Sequence, residues 1–160
     1  MAKNSLPKLI GSVLLCEAAG GVGTIFSRNS LREWYPDLEK PSFNPPDWLF
    51  GPVWTLLYAL MGLSLYLLNR SGTDDSSAVT NARFLFGVQL VLNVLWSYVF
   101  FGRRSVGWAL VEIEFLWAAI VATALAFSRV SKIAALLLVP YLLWTGFATL
   151  LNYEIWRLNR

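Results

Sequence analysis

The chain has 160 residues, of which 56% are hydrophobic and only 14% charged; soluble domains carry roughly 25% charged residues, so the composition is that of a membrane protein. Its formal charge of +3 sits on basic side chains scattered between apolar runs, with no block or helical stripe, which argues against nucleic acid as a partner. A single cysteine, Cys16, excludes an internal disulfide, and the absence of histidine removes the commonest metal ligand, general base and proximal haem ligand together.

The first apolar run, Leu6 to Phe26, is interrupted only by Pro7, Lys8 and Glu17. At 1.5 Å rise per residue it reaches about 30 Å, the thickness of a hydrocarbon core. Lys3 and Lys8 would make the basic end of a cleaved signal peptide, but the run is long and has no clean small-x-small site before Arg28. Its second half, Ala18, Ala19, Gly20, Gly21 and Gly23, is poor in side chain, which suits close helix packing and, as the alternative, leaves room for a ligand beside the backbone. Glu17 lies near the middle of the run and is expected to face the bundle, because a carboxylate in lipid is costly without a partner.

Trp34 to Trp54 reads WYPDLEKPSFNPPDWLFGPVW. Proline fixes its own φ and restricts the residue before it, so Pro41, Pro45, Pro46 and Pro52 leave this stretch little conformational freedom to lose. Trp34, Tyr35, Phe43 and Trp48 are side chains suited to a membrane interface or the mouth of a pocket. Long connections in compact proteins are functional or disordered, and one this rich in proline and tryptophan is not disordered. The stretch is read as a rigid cover over a site inside a helical bundle.

A second span of about 48–68 ends in the polar loop Asn69 to Ser77. The third, about 84–101, stops at Gly102, Arg103 and Arg104; the fourth covers about 106–127 and the fifth about 133–156. With the first, about 6–26, they predict an all-α integral membrane protein: a single domain over 1–160, a bundle of five transmembrane helices with a long structured loop after the first. Lys and Arg divide between the two sides as Lys3, Lys8, Arg70, Arg83, Arg129 and Lys132 against Arg28, Arg32, Lys40, Arg103, Arg104, Arg157 and Arg160. The positive-inside rule therefore fixes no orientation. Short connections after the second, third and fourth spans predict that consecutive helices pack as antiparallel neighbours, the first loop being the exception.

Within the spans, helical spacing places Asn93, Trp96, Ser97 and Phe100 on one face of the third, Trp54, Tyr58 and Met61 on one face of the second, and Trp144, Ala148 and Asn152 on one face of the fifth. Asn93 is an amide in hydrocarbon, which either glues helices or meets a ligand. Pro140-Tyr141 is a candidate kink. Glu112 and Glu114 point to nearly opposite sides of the fourth span and cannot act as one carboxylate pair, and Ala118, Ala122 and Ala126 form a small-residue ladder of the kind used in helix packing. No conventional acid/base, nucleophilic or metal site is visible, so no catalytic residue and no metal ligand is assigned.

Taken together, WY followed by LxKPxFxPP, then GPVWTLLY, NxxWSxxFFGRR with GWALVE, and PYLLWTGFATLLNYEIWRLN resemble the TspO/MBR family, the translocator proteins once called peripheral benzodiazepine receptors. The resemblance runs from about Gly20 to Asn159. It implies a five-helix membrane bundle, usually a homodimer, with a ligand pocket beneath the first loop, in the cell membrane of a prokaryote or the mitochondrial outer membrane of a eukaryote. The implied ligands are porphyrins, protoporphyrin IX or haem, and sterols or synthetic isoquinoline carboxamides and benzodiazepines, with no required cofactor and with membrane lipid as the surrounding partner.

By the family pattern, the pocket positions are Trp34, Tyr35, Trp54, Asn93, Ser97, Trp144 and Ala148. An acidic residue on the fourth helix matches Glu112, whereas Glu17 and Glu114 have no assigned role, and Phe43 stands where the family has a tryptophan. A sterol motif at the end of the fifth helix matches Leu151, Tyr153 and Arg157, which read equally as an aromatic and basic interface anchor. Two functions are implied: a binding protein that senses, stores or moves tetrapyrroles or lipids, and, as the alternative, an enzyme that degrades protoporphyrin with light and oxygen. The absence of catalytic groups favours binding.

Overall fold

The computed structural model describes residues 5–160; Lys3, part of the basic N-terminal group above, lies outside the described residues. Helix α1 is Ser5–Glu33, α2 Asp47–Asn69, α3 Ser76–Ser97, α4 Val106–Val130, α5 Lys132–Leu136 and α6 Val139–Leu158. Five helical stretches are long and apolar enough to cross a membrane, with α5 and α6 together making the fifth. Their outer faces carry Ile25, Phe84, Trp108 and Leu143 at more than two-thirds exposure, surface that lipid covers in a protein of this kind.

The helix ends follow from local chemistry. α1 runs past the apolar run to Glu33, so its last two turns carry Arg28 and Arg32 beyond the hydrocarbon stretch, with Arg32 in the last turn, favourably placed at the C-terminal end of the dipole. α2 begins at Asp47, directly after Pro46, with an acidic residue in its first turn. The segment expected to be cover as far as Trp54 is therefore helical from Asp47 onward, and the cover proper ends at Pro46. Trp48 belongs to the first turn of α2 and is 72% exposed.

α3 starts earlier than the apolar run, at Ser76, because the Asp75 carboxylate caps it, accepting from the Ala78 N–H at 2.9 Å and the Ser77 hydroxyl at 2.7 Å. Those bonds hold Asp75 below the usual carboxylate range. Ser76 and Ser77, read from composition as loop, are thus the first turn of a helix. After Ser97 the chain widens into a π turn over Tyr98–Gly102, and Arg104, at φ 52°, reverses it into α4. The fifth span breaks at Leu137 and Leu138, one turn before Pro140. Proline has no N–H to offer the Leu136 carbonyl, which places the break where the proline kink was expected.

Consecutive helices are not all neighbours, contrary to the expectation from short loops. α1 packs along both α2 and α3, α3 along α4, α4 against α5 and α6, and α5 closes the ring on α2, while α2 and α3 scarcely touch. The slimness of α1 is the physical reason. Gly62 of α2 lies on the Val13 backbone, Gly20 lies beneath the Tyr58 ring, and a Cβ on Gly23 would stand 3.1 Å from the Ser97 hydroxyl. Seated that closely, α1 fits between α2 and α3, and the six or so residues of their connection, extended, reach roughly 20 Å, enough to pass it.

Candidate functional site

Near the end of the bundle crossed by the Pro-rich loop, α1, α2, α3 and α6 enclose a cavity of about 450 Å³, a size typical of small-molecule sites. Tyr35, Trp54, Asn93, Ser97, Trp144 and Ala148 all line it. Trp34 does not; its ring packs edge-on against Phe100 at 5.7 Å, and Phe100 is wall. The sterol motif divides: Leu151 lines the cavity, Tyr153 is 43% exposed outside it, and Arg157 is paired with Glu154 at 2.6 Å.

Several wall residues were not singled out as contacts. Trp96 and Phe100 share the face of Asn93, and that spacing was sufficient to find them. Phe101 was not legible, because the π turn adds a residue to the helical repeat and lets adjacent Phe100 and Phe101 both reach the cavity, their rings 4.7 Å apart. Glu17 lines the cavity, as a mid-membrane carboxylate facing the bundle should. Glu112 is buried outside the cavity, its carboxylate without a hydrogen-bond partner among the described residues, while Glu114 is exposed on the other side of α4.

A polar frame holds the aromatic walls. The Tyr58 hydroxyl donates to Asn93 Oδ1, and Asn93 Nδ2 donates to the Tyr141 hydroxyl at 2.9 Å, so one amide ties α2, α3 and α6. Asn152 does the same a turn or two away, accepting from Trp96 Nε1 at 3.1 Å and donating to the Val106 carbonyl at 2.9 Å. Asn93→Leu is expected to lower unfolding stability by about 1–3 kcal/mol, since interhelical bonds in membranes reach about 1.7 kcal/mol each. Helical content should be retained; an unchanged thermal midpoint would show that the two tyrosines find other partners.

The cover is built as tightly as its prolines promised. Tyr35 is 3% exposed and donates to Asn44 Oδ1 at 3.0 Å, and Asn44 Nδ2 donates to the Pro45 carbonyl at 3.0 Å. Burial, reinforced by the nearby Asp47 charge and opposed by the Asn44 bond, pushes the Tyr35 phenol up to about 12, so it remains a donor at neutral pH. Lys40 donates to the Pro36 and Leu38 carbonyls and lies over the Tyr35 ring at 4.9 Å. The far end of α6 pins the loop: Glu39 N–H donates to Asn159 Oδ1 at 3.0 Å, and Asn159 Nδ2 donates back to the Glu39 carbonyl at 2.9 Å.

Of the cover, Tyr35 alone lines the cavity, and one side of the cavity is open. Gly21, Thr24 and Leu31 of α1 and Gly51 and Thr55 of α2 line the cavity and are also exposed, whereas every wall residue from α3 and α6 is at least partly buried. This slot faces the lipid. Its hydroxyls are turned inward to their own helices, Thr24 to the Gly20 carbonyl, Ser27 to Thr24 and Thr55 to Gly51, so the rim offers lipid an apolar surface. Electrostatically the cavity holds one carboxylate, Glu17, and no cation. The indole N–H groups of Trp54 and Trp144 have no hydrogen-bond partner among the described residues, and those residues contain no cluster of metal-ligating side chains.

A family model described as TspO/MBR family matches residues 12–157. Among similar proteins, the "Tryptophan-rich protein TspO" of Chlorobaculum tepidum is 49% identical over 145 residues, covering 91% of each chain. The human "Translocator protein" is 43% identical over 138 residues, 86% of this chain and 82% of its own. The "Tryptophan-rich sensory protein" of Cereibacter sphaeroides is 37% identical over 145 residues, 90% of this chain and 86% of its own.

Proposed function

Because the chain belongs to the TspO/MBR family, a family of multi-pass membrane proteins, we propose that it binds flat, largely apolar ligands of the tetrapyrrole or sterol class and acts in their sensing or translocation. The observation that carries this reading is the cavity: indoles from α2, α3 and α6, with phenylalanines of the π turn, line a single space that opens toward lipid. Burying an aromatic ring against such walls is favourable through area and stacking. The names of its relatives, translocator and sensory protein, accord with it.

The missing cation sets how a porphyrin lies. A carboxylate buried beside Glu17 with no positive partner is strongly disfavoured, so the ring occupies the cavity and its propionates project through the slot toward Arg28 and Arg32, which are exposed at that end of α1. Protoporphyrin IX and its dimethyl ester should therefore bind the protein in lipid nanodiscs within about threefold of one another, well under the tenfold that 1.4 kcal/mol represents. Quenching of tryptophan emission, with a sterol as the third titrant, reads this directly. Absence of quenching by all three ligands would remove the proposal, and loss of binding by the ester alone would place the carboxylates inside.

The cover contributes preorganisation. Asn159→Ala removes both bonds that pin Glu39, and affinity is expected to fall by about three- to tenfold, one weak hydrogen bond's worth or slightly more, through faster dissociation. The helical signal should not change. An unaltered dissociation rate would make the loop a spacer. A second reading, photochemical breakdown of bound porphyrin, draws on Trp54 and Trp144 sharing this wall; equal bleaching in the native protein and a Trp54→Phe, Trp144→Phe variant would leave binding alone.

A further inference from the structure

A second cavity, of about 520 Å³, lies between α1, α2 and α3 at the end of the bundle away from the cover. Lys8, Arg70 and Arg83 stand in its wall, and no carboxylate does. The ion pairs among the described residues are Glu33 with Arg104 and Glu154 with Arg157, so none of these three cations is neutralised. Two of them are nevertheless held in place. Arg70 Nη1 donates to the Tyr66 hydroxyl at 2.8 Å with its guanidinium over that ring, and Arg83 Nε donates to Asn69 Oδ1 at 2.8 Å. Each bond fixes a guanidinium while leaving other N–H donors without a partner among the described residues. Asp74 and Asp75, the acidic residues nearest in sequence, are not in the wall, and Asp75 is engaged in capping α3.

The depth is that of a headgroup. Arg83 lies about 28 Å along the span from Gly102, close to the thickness of the hydrocarbon core. Toward the membrane the wall becomes apolar, with Gly11 and Leu15 on α1 and Leu65 on α2; Leu15 is 54% exposed and a Cβ on Gly11 would meet open space. Cations at the interface that lead into an apolar groove between helices match an acidic lipid at both its ends, whereas a free anion would use only the first.

We propose that this cavity binds the phosphate of an anionic phospholipid, with an acyl chain lying along Gly11 and Leu15. A phosphodiester accepts the forked donors of a guanidinium well, and it would add a second clamp between α2 and α3 beside the Arg83–Asn69 bond.

The test is native mass spectrometry of the purified protein in detergent, with dioleoyl phosphatidylglycerol or dioleoyl phosphatidylcholine added. The native protein should retain one phosphatidylglycerol and no phosphatidylcholine. Lys8→Gln, which disturbs no hydrogen bond within the described chain, should weaken retention severalfold, and Arg70→Gln with Arg83→Gln by tenfold or more. Arg129→Gln with Lys132→Gln, the same charge change on the same side, should not weaken it. Equal loss in that control, or undiminished retention in the cavity variants, would overturn the site. A separate arm measures the thermal midpoint with inorganic phosphate alone: no shift is expected, and a shift equal to that given by phosphatidylglycerol would overturn the lipid assignment in favour of a free anion. None of these outcomes depends on what the aromatic cavity binds.

Discussion

Gly62→Ala is expected to destabilise the bundle by about 3 kcal/mol, the upper part of the range for forcing one extra methyl into a filled contact. The added Cβ would overlap the backbone of Val13 and crowd the Ser12 carbonyl. Neither can rotate away, so α1 and α2 must separate along their length. That separation also lifts Gly20 from the Tyr58 ring, and Tyr58 holds Asn93. Gly11→Ala and Gly21→Ala are the matched controls, since a Cβ at either position meets open space; alanine's better helix propensity should make both neutral or stabilising by up to about 1 kcal/mol. Thermal unfolding of the three variants in one detergent decides the matter. Equal midpoints for Gly62→Ala and Gly21→Ala would show that α1 is not seated by close backbone approach.

That seating also explains what the sequence could and could not disclose. The number of spans, their class and most of the cavity wall were legible, because length, hydropathy and helical spacing are properties of single segments. Neighbour order was not. Loop length favoured α2 beside α3, and the opposite outcome depends on how closely α1 approaches both, which is set by Gly20, Gly23 and Gly62 meeting particular partners across helices. Of the uses weighed for the glycine run, packing is seen at Gly20 and Gly23, and both also line the cavity, beside Gly21. Asn93 glues helices through its bonds to two tyrosines and also stands in the cavity wall. The π turn was not legible because no residue pattern in Tyr98 to Gly102 distinguishes it from an ordinary helix end, and the start of α3 shifted because the Asp75 cap extends the helix beyond its apolar run.

Trp144→Ala should produce the largest loss of ligand affinity among the single wall substitutions. The indole lines the cavity, tilted 5.5 Å from Phe147 and edge-on to Phe50 at 6.1 Å, so its position is fixed before any ligand arrives. An aromatic side chain offers about 150–250 Å² of surface; if a flat ligand covers half of it, the loss at about 25 cal/mol per Å² is about 2–3 kcal/mol. That corresponds to protoporphyrin binding weakened by roughly 30- to 150-fold. Trp34→Ala should cost less, because Trp34 reaches the cavity only through Phe100. Tyr153→Ala, exposed outside the cavity beside Trp156, should stay within about twofold of the native protein, less than the ~1 kcal/mol of a typical hydrogen bond. Affinities are to be compared by porphyrin absorbance in nanodiscs, since removing an indole alters the emission signal itself. A dominant loss from Tyr153→Ala would move the site to the outer face of α6, and a Trp144→Ala protein that binds as the native one does would separate the aromatic cavity from the ligand altogether.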